Sequence, residues 1–305
     1  MRYQTDTDKK ARVIPTASNE LPSKHPLQLT RLHDKWRPIL TAVLVCALVW
    51  LVLLVFCTDE DEPRIEGKRL TVWLDEYQRD CGELFQSHGP HLRFSDEGEY
   101  KSEARSAIRK IGTNSVPVLM KLLRAKDSPL TAKLVKILRK QSLIPMPFRP
   151  AADCQVMACY GFHALDEMGR DAVPELTKML DPSAPLNCLS VADCLGNIGP
   201  TAEAAIPVLV QFLDNTNRIV RWDATVNLGK IHRMPELVVP ILITNLTASN
   251  AILPTLIDTL AEYGADARRA VPQLLEFLGH ENARWEAANA LKKIAPELAA
   301  EMKLE

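Results

Sequence analysis

Glycine and aromatic residues are scarce in this chain, at 12 glycines and 6% Phe, Trp and Tyr among 305 residues. Leu, Ala, Ile and Val abound instead, a composition that favours helices packed through small and aliphatic side chains over a β-sandwich. The seven cysteines are odd in number and include no Cys-x-x-Cys pair. Neither a disulfide framework nor a zinc site can be read from such spacing, and small thiols buried in helix packing are the expected role. No nucleophile elbow, phosphate-binding loop, dinucleotide fingerprint or His-Glu-x-x-His occurs. No pair of acids is brought into one cleft by the pattern. No catalytic residue, cofactor or metal is therefore expected.

Charge is unevenly spread. Residues 1–37 hold eight Lys/Arg against four acids, residues 38–57 hold none, and 58–305 is left with 29 basic and 34 acidic residues. A mildly acidic domain gains little from counterion release, so nucleic acid is not an expected partner.

The charge-free run from Pro38 to Cys57 reads PILTAVLVCALVWLVLLVFC. As a helix it would cover about 30 Å, the hydrocarbon thickness of a bilayer. Arg31, His33, Lys35 and Arg37 precede it and Asp59-Glu60-Asp61-Glu62 follows. Positive flanks stay in the cytoplasm, which places the N-terminus inside and the bulk of the chain outside. A cleaved signal peptide would have a shorter basic region and a small-residue cleavage site. Lipoprotein-type cleavage before Cys57 would meet the bulky Phe56. An uncleaved single-pass anchor is the expectation. Residues 1–37, with Pro15, Pro22 and Pro26 among polar residues, read as a disordered cytoplasmic tail.

Beyond the anchor the chain repeats itself. Ile111-Gly112 recurs as Met168-Gly169, Ile198-Gly199, Ile231-His232, Tyr263-Gly264 and Ile294-Ala295, at intervals of 57, 30, 33, 32 and 31. After these junctions come Val116-Pro117, Val173-Pro174, Ile206-Pro207, Val239-Pro240 and Val271-Pro272, each continuing into Leu at helical spacing. A proline in the first turn of a helix forfeits no hydrogen bond, and a glycine before it can end the preceding helix in left-handed geometry. Each unit is thus a helix pair with apolar stripes that only an adjacent unit can cover. Within the long first interval, SPLTAKLVKILRK at 128–140 is an extra helix and Leu143 to Pro150 a projecting proline-rich loop. Residues 80–98 read as a second loop.

This rhythm resembles the short HEAT-like repeats of bacterial proteins, including the phycobilisome-lyase type. Gly67-Lys68-x-Leu70-x-x-Trp73-Leu74 is similar to the opening helix of anchored bacterial HEAT-repeat proteins. The resemblance covers roughly 63–299. It implies an all-α fold, an α-solenoid coiled as a right-handed superhelix. With the anchor and tail read above, the expected domains are 1–37 (tail), 38–57 (transmembrane helix), 58–99 (linker with opening helix and loop) and 100–305 (repeats). Asp214 with Arg221 resembles the family's inter-repeat ladder, and Arg284 holds the slot of Arg221 in its own unit. The implied function is a membrane-tethered scaffold for proteins of the membrane or cell envelope. An enzyme of the HEAT-like lyase type is the alternative, and a nucleic-acid-binding helical repeat a lesser one.

Trp222 and Trp285 share a position two units apart, ten before their junctions, and tryptophan is strongly enriched at binding hot spots. With Arg221 and Arg284 they are the candidate protein-binding residues. Gly112, Pro117, Gly169, Pro174, Gly199, Pro207, Pro240, Gly264 and Pro272 are assigned structural roles. Cys159 and Cys188, ten and eleven before their junctions, are a candidate bridge in an oxidising compartment. Cys81, His88 and His91 fall together in the second loop, short of a metal-site pattern. His163 and His232 are expected to be ordinary helix or junction residues.

Overall fold

A computed structural model describes residues 42–44, 46–47, 62–88, 102–138 and 149–304. The chain divides at Cys57 into two units. In the first, residues 42–44 and 46–47 are helical, and the rest of the expected span at 38–57 lies outside the described residues, as does the tail. Among the described residues no helix is long and apolar enough to cross a membrane.

Among its described residues the second unit is all-α apart from one small hairpin. Strands β1 (Arg64–Ile65) and β2 (Lys68–Arg69) pair antiparallel across Glu66-Gly67, both at positive φ (54° and 77°). That geometry suits a two-residue hairpin turn. It feeds helix α1 (Leu70–His88). Leu70, Trp73, Leu74, Tyr77 and Cys81 recur at i, i+3, i+4 and i+7 spacing and are all buried, so one stripe of α1 enters the core. Trp73 Nε1 donates to the Ile65 carbonyl at 3.2 Å, and Lys68 Nζ sits 4.0 Å above the Trp73 ring, tying hairpin to helix. The expected loop from residue 80 is helix as far as His88, and Cys81 is in its buried face; His91 lies outside the described residues.

Helix pairs follow. The longer helices are α2 (Glu103–Ile111), α5 (Ala151–Leu165), α7 (Leu189–Ile198), α9 (Arg218–Ile231), α11 (Leu253–Glu262) and α13 (Arg284–Ile294). Each packs against the next along the series. The partners are α3 (Val116–Leu123), α6 (Val173–Met179), α8 (Ile206–Phe212), α10 (Pro235–Thr244), α12 (Val271–Phe277) and α14 (Pro296–Glu301). The expected extra helix is α4 (Pro129–Leu138). Pro117, Pro174, Pro207 and Pro272 occupy the second residue of α3, α6, α8 and α12, where no intrahelical hydrogen bond is due.

Pro240 departs from that scheme. It lies inside α10, which begins at Pro235. Four other junctions pass through a 3-10 segment before their proline helix, at 112–115, 166–172, 199–205 and 264–270. Here His232 and Met234, both in left-handed geometry (φ 48° and 52°), turn the chain at once, and α10 starts more than a turn earlier.

The second junction is displaced as well. Helix α5 ends at Leu165, and Asp166, with φ 54° and ψ −138°, takes the place that Gly112 and Gly199 fill elsewhere. Gly169 is inside the following 3-10 segment, where a Cβ would come within 3.1 Å of Phe162 and 3.2 Å of Ile198. Its want of a side chain serves packing, not chain reversal. With Asp166 as the junction, Val173, Ile206, Val239 and Val271 all stand seven residues beyond theirs.

Close approach between the long helices depends on two further glycines. A Cβ on Gly161 of α5 would overlap the Leu119 side chain of α3, and one on Gly196 of α7 would overlap the Asn227 amide of α9. Leu119 and Asn227 are both fully buried, so neither can swing into water.

Candidate functional site

Once the junctions are aligned, an apolar residue stands ten positions before each of five in succession: Val156, Leu189, Trp222, Pro254 and Trp285. Val156, Trp222 and Trp285 are 41%, 48% and 61% exposed, while Leu189 and Pro254 are half-buried. Leu186 and Ile219, thirteen before their junctions, add two more exposed aliphatics beside the row. These positions belong to the first two turns of α5, α7, α9, α11 and α13, or just precede them, and successive helices in that set are in contact. One edge of the helix series therefore carries an apolar row, one or two side chains per helix.

A cleft of about 350 Å³ opens in this row between α9 and α11. Ile219, Trp222, Ile252 and Pro254 supply its apolar lining and Arg218 its charge. Asn217 fixes the start of α9 by accepting from the Ile219 amide at 2.9 Å, which sets the direction of Arg218, Ile219 and Trp222.

The candidate arginines do different things. Arg221 Nη1 donates to the carbonyls of Asn215 and Thr216 at 2.8 and 3.0 Å, closing the loop before α9 instead of pairing with Asp214. Arg284 opens α13 with an exposed side chain next to Trp285. Trp222 and Trp285 are brought onto the same edge, in the opening two turns of helices two apart, separated by Pro254 of α11.

Beneath the row runs a polar seam that the sequence reading missed. Lys230 Nζ donates to Asn197 Oδ1 at 2.9 Å, and Asn197 Nδ2 to the Cys159 carbonyl at 3.2 Å, linking α9, α7 and α5. Asn227 Nδ2 donates to Asp193 Oδ1 at 3.4 Å. Asp223 is 4% exposed beside them, and burial pushes its carboxyl up to about 8, with the Asp193 charge adding to the shift and Lys230 opposing it. On α5, His163 shares a 2.7 Å hydrogen bond with the Tyr77 hydroxyl and stacks on that ring. Burial first, then the charges of Arg105 and Lys230, lower its ring to about 3, so the imidazole is neutral at physiological pH. His232, by contrast, ends α9 and packs edge-on against Tyr263 at 5.0 Å.

Asp223 and Asn227 had one legible signal: two polar residues spaced i, i+4 among Val220, Ala224, Leu228 and Ile231, the buried face of α9. Burial of polar side chains within an apolar stripe requires partners, which only neighbouring helices could supply.

The cysteine expectation changes partner. Cys188 is turned to its own loop, its sulfur 3.5 Å from the Met179 carbonyl and accepting from the Asp181 amide at 3.2 Å. Cys159 lies instead 3.6 Å from Cys194, sulfur to sulfur. The reason is the displaced junction: Cys159 stands seven residues before Asp166 and Cys194 five before Gly199, so the two meet at similar height. Among the described residues no group of three or more His, Cys, Asp or Glu side chains is arranged to hold a metal ion.

No family model matches the chain, and no curated protein matches it.

Proposed function

We propose that this protein is a membrane-tethered interaction scaffold: HEAT-like helix pairs stacked as a right-handed α-solenoid, anchored through residues 38–57, and holding partner proteins of the membrane or cell envelope. The observation that carries this reading is the apolar row. Val156, Trp222 and Trp285, with Leu186 and Ile219, expose large apolar side chains at matching positions, on helices whose buried faces are already satisfied by their neighbours. A repeated edge presenting one anchor per helix suits an extended partner segment, and a scaffold packed before binding keeps the ordering cost of association low. The Trp222 cleft, apolar with Arg218 at its rim, offers a pocket along the row for such an anchor. Tethering would confine the surface to two dimensions and raise its effective concentration towards other membrane components.

The test is site-specific photocrosslinking in intact membranes. A photoreactive residue at Leu186 or Ile219 should yield discrete protein adducts, while one at Lys178, exposed on α6, should not. Adducts of equal yield from Lys178, or lipid adducts alone from Ile219, would overturn the reading. Reporters fused after Glu305 address orientation: phosphatase activity without cytoplasmic fluorescence is expected, and the reverse would reject an envelope partner.

A further inference from the structure

The polar seam contains two thiols that the scaffold reading does not use. Cys159 on α5 is half-buried. Cys194 on α7 is fully buried and its S–H points at the Cys159 sulfur, 3.6 Å away. Cys159 in turn donates to the Ser190 carbonyl at 3.3 Å, one turn below Cys194 on the same helix. The Asn197–Cys159 carbonyl bond at 3.2 Å holds the two helices in register at this height. A disulfide needs sulfurs at about 2.05 Å, so the two sulfurs must draw roughly 1.5 Å closer for the bond to form.

We propose that Cys159 and Cys194 are a redox pair that closes into a disulfide, stapling α5 to α7, when the chain meets an oxidant carrying a disulfide of its own. Cys159, the less buried of the two, loses its proton to solvent and attacks one sulfur of the oxidant. A mixed disulfide forms and the oxidant's other half departs as a thiolate. Cys194 then attacks the Cys159 sulfur, its proton passing to the second departing thiolate. Two protein thiols become one disulfide, and the oxidant's disulfide becomes two thiols. The arrangement fixes the order of events. Burial raises the Cys194 thiol well above its ordinary value, which makes it a poor first nucleophile, and its place 3.6 Å from the Cys159 sulfur is what fits it to the resolving step. Cys188 cannot substitute, because its sulfur is engaged with the backbone of residues 179–184.

The experiment uses the full-length chain in detergent, reduced, then incubated with glutathione disulfide, quenched by alkylation and mapped by peptide mass spectrometry. The expected product is a Cys159–Cys194 cross-linked peptide pair, two hydrogens lighter than the separate peptides and reversed by a dithiol. In Cys194→Ala the same treatment should leave glutathione on Cys159, and in Cys159→Ser residue 194 should remain fully alkylatable after unfolding. A wild-type chain that ends with glutathione on Cys159 and a free Cys194 would overturn the proposal. So would a Cys159–Cys188 link, or two unreacted thiols. The wild-type measurement stands alone if either variant fails to fold.

Discussion

Asp223 and His163 put opposite pH dependences into one polar seam. The Asp223 carboxyl has an ordinary value of 3.8 and is held near 8 in the fold. Between those values the folded chain keeps a proton that the unfolded chain has lost, so this group's contribution to stability falls as pH rises from about 3.8 to about 8 and is flat above. Asp223→Asn keeps the shape without the titration. Its melting temperature should gain on wild type between pH 5 and pH 8, and a pH-independent difference would refute the assignment. For His163 the ordinary value is 6.5 and the folded value about 3. The unfolded chain takes up the proton first as pH falls, so stability is lost from about 6.5 downward. His163→Asn should cost about 1 kcal/mol at pH 7, for the Tyr77 bond, and that cost should shrink towards pH 4. Chemical denaturation at both pH values reads the change directly.

Single helices and their ends carry a second set of expectations. Asp166 holds φ 54°, ψ −138°, a region that residues with a side chain rarely adopt and that glycine fills at Gly112 and Gly199. Asp166→Gly should therefore stabilise the chain, by about 1–2 kcal/mol, whereas Gly199→Ala should destabilise it by a similar amount. A denaturation midpoint that moves the same way in both variants would contradict this. Gly161→Ala should cost about 1–3 kcal/mol through overpacking against Leu119. The same junction shows how far sequence reasoning reaches. Periodicity located the helix pairs and expected all five prolines in first turns, where four of them lie. It took Met168-Gly169 as the junction because glycine is the usual residue there. Backbone strain at Asp166 has no compositional mark, so a three-residue slip went unseen, and with it the true neighbour of Cys159.

For the whole molecule, the exposed row separates folding from binding. Trp222 and Trp285 are 48% and 61% exposed, so replacing both with alanine should leave stability within about 0.5 kcal/mol of wild type. Two hot-spot residues at about 2 kcal/mol each would nonetheless lower partner crosslinking from Ile219 by far more than tenfold. A double variant that unfolds, or one that crosslinks as before, would remove these tryptophans from the proposed surface. The sequence by itself determined the all-α class, the position of most helix pairs and the spacing that repeats the tryptophans, because hydrophobic period and proline placement are local properties of the chain. Only the tertiary structure decided that Pro240 lies within a helix, that Asp193, Asp223, Asn227 and Lys230 converge in one seam, and that Cys159 faces Cys194. Those outcomes depend on the height at which one helix meets the next, and that height is set by side-chain packing between segments some thirty residues apart, such as Asn197 with Lys230.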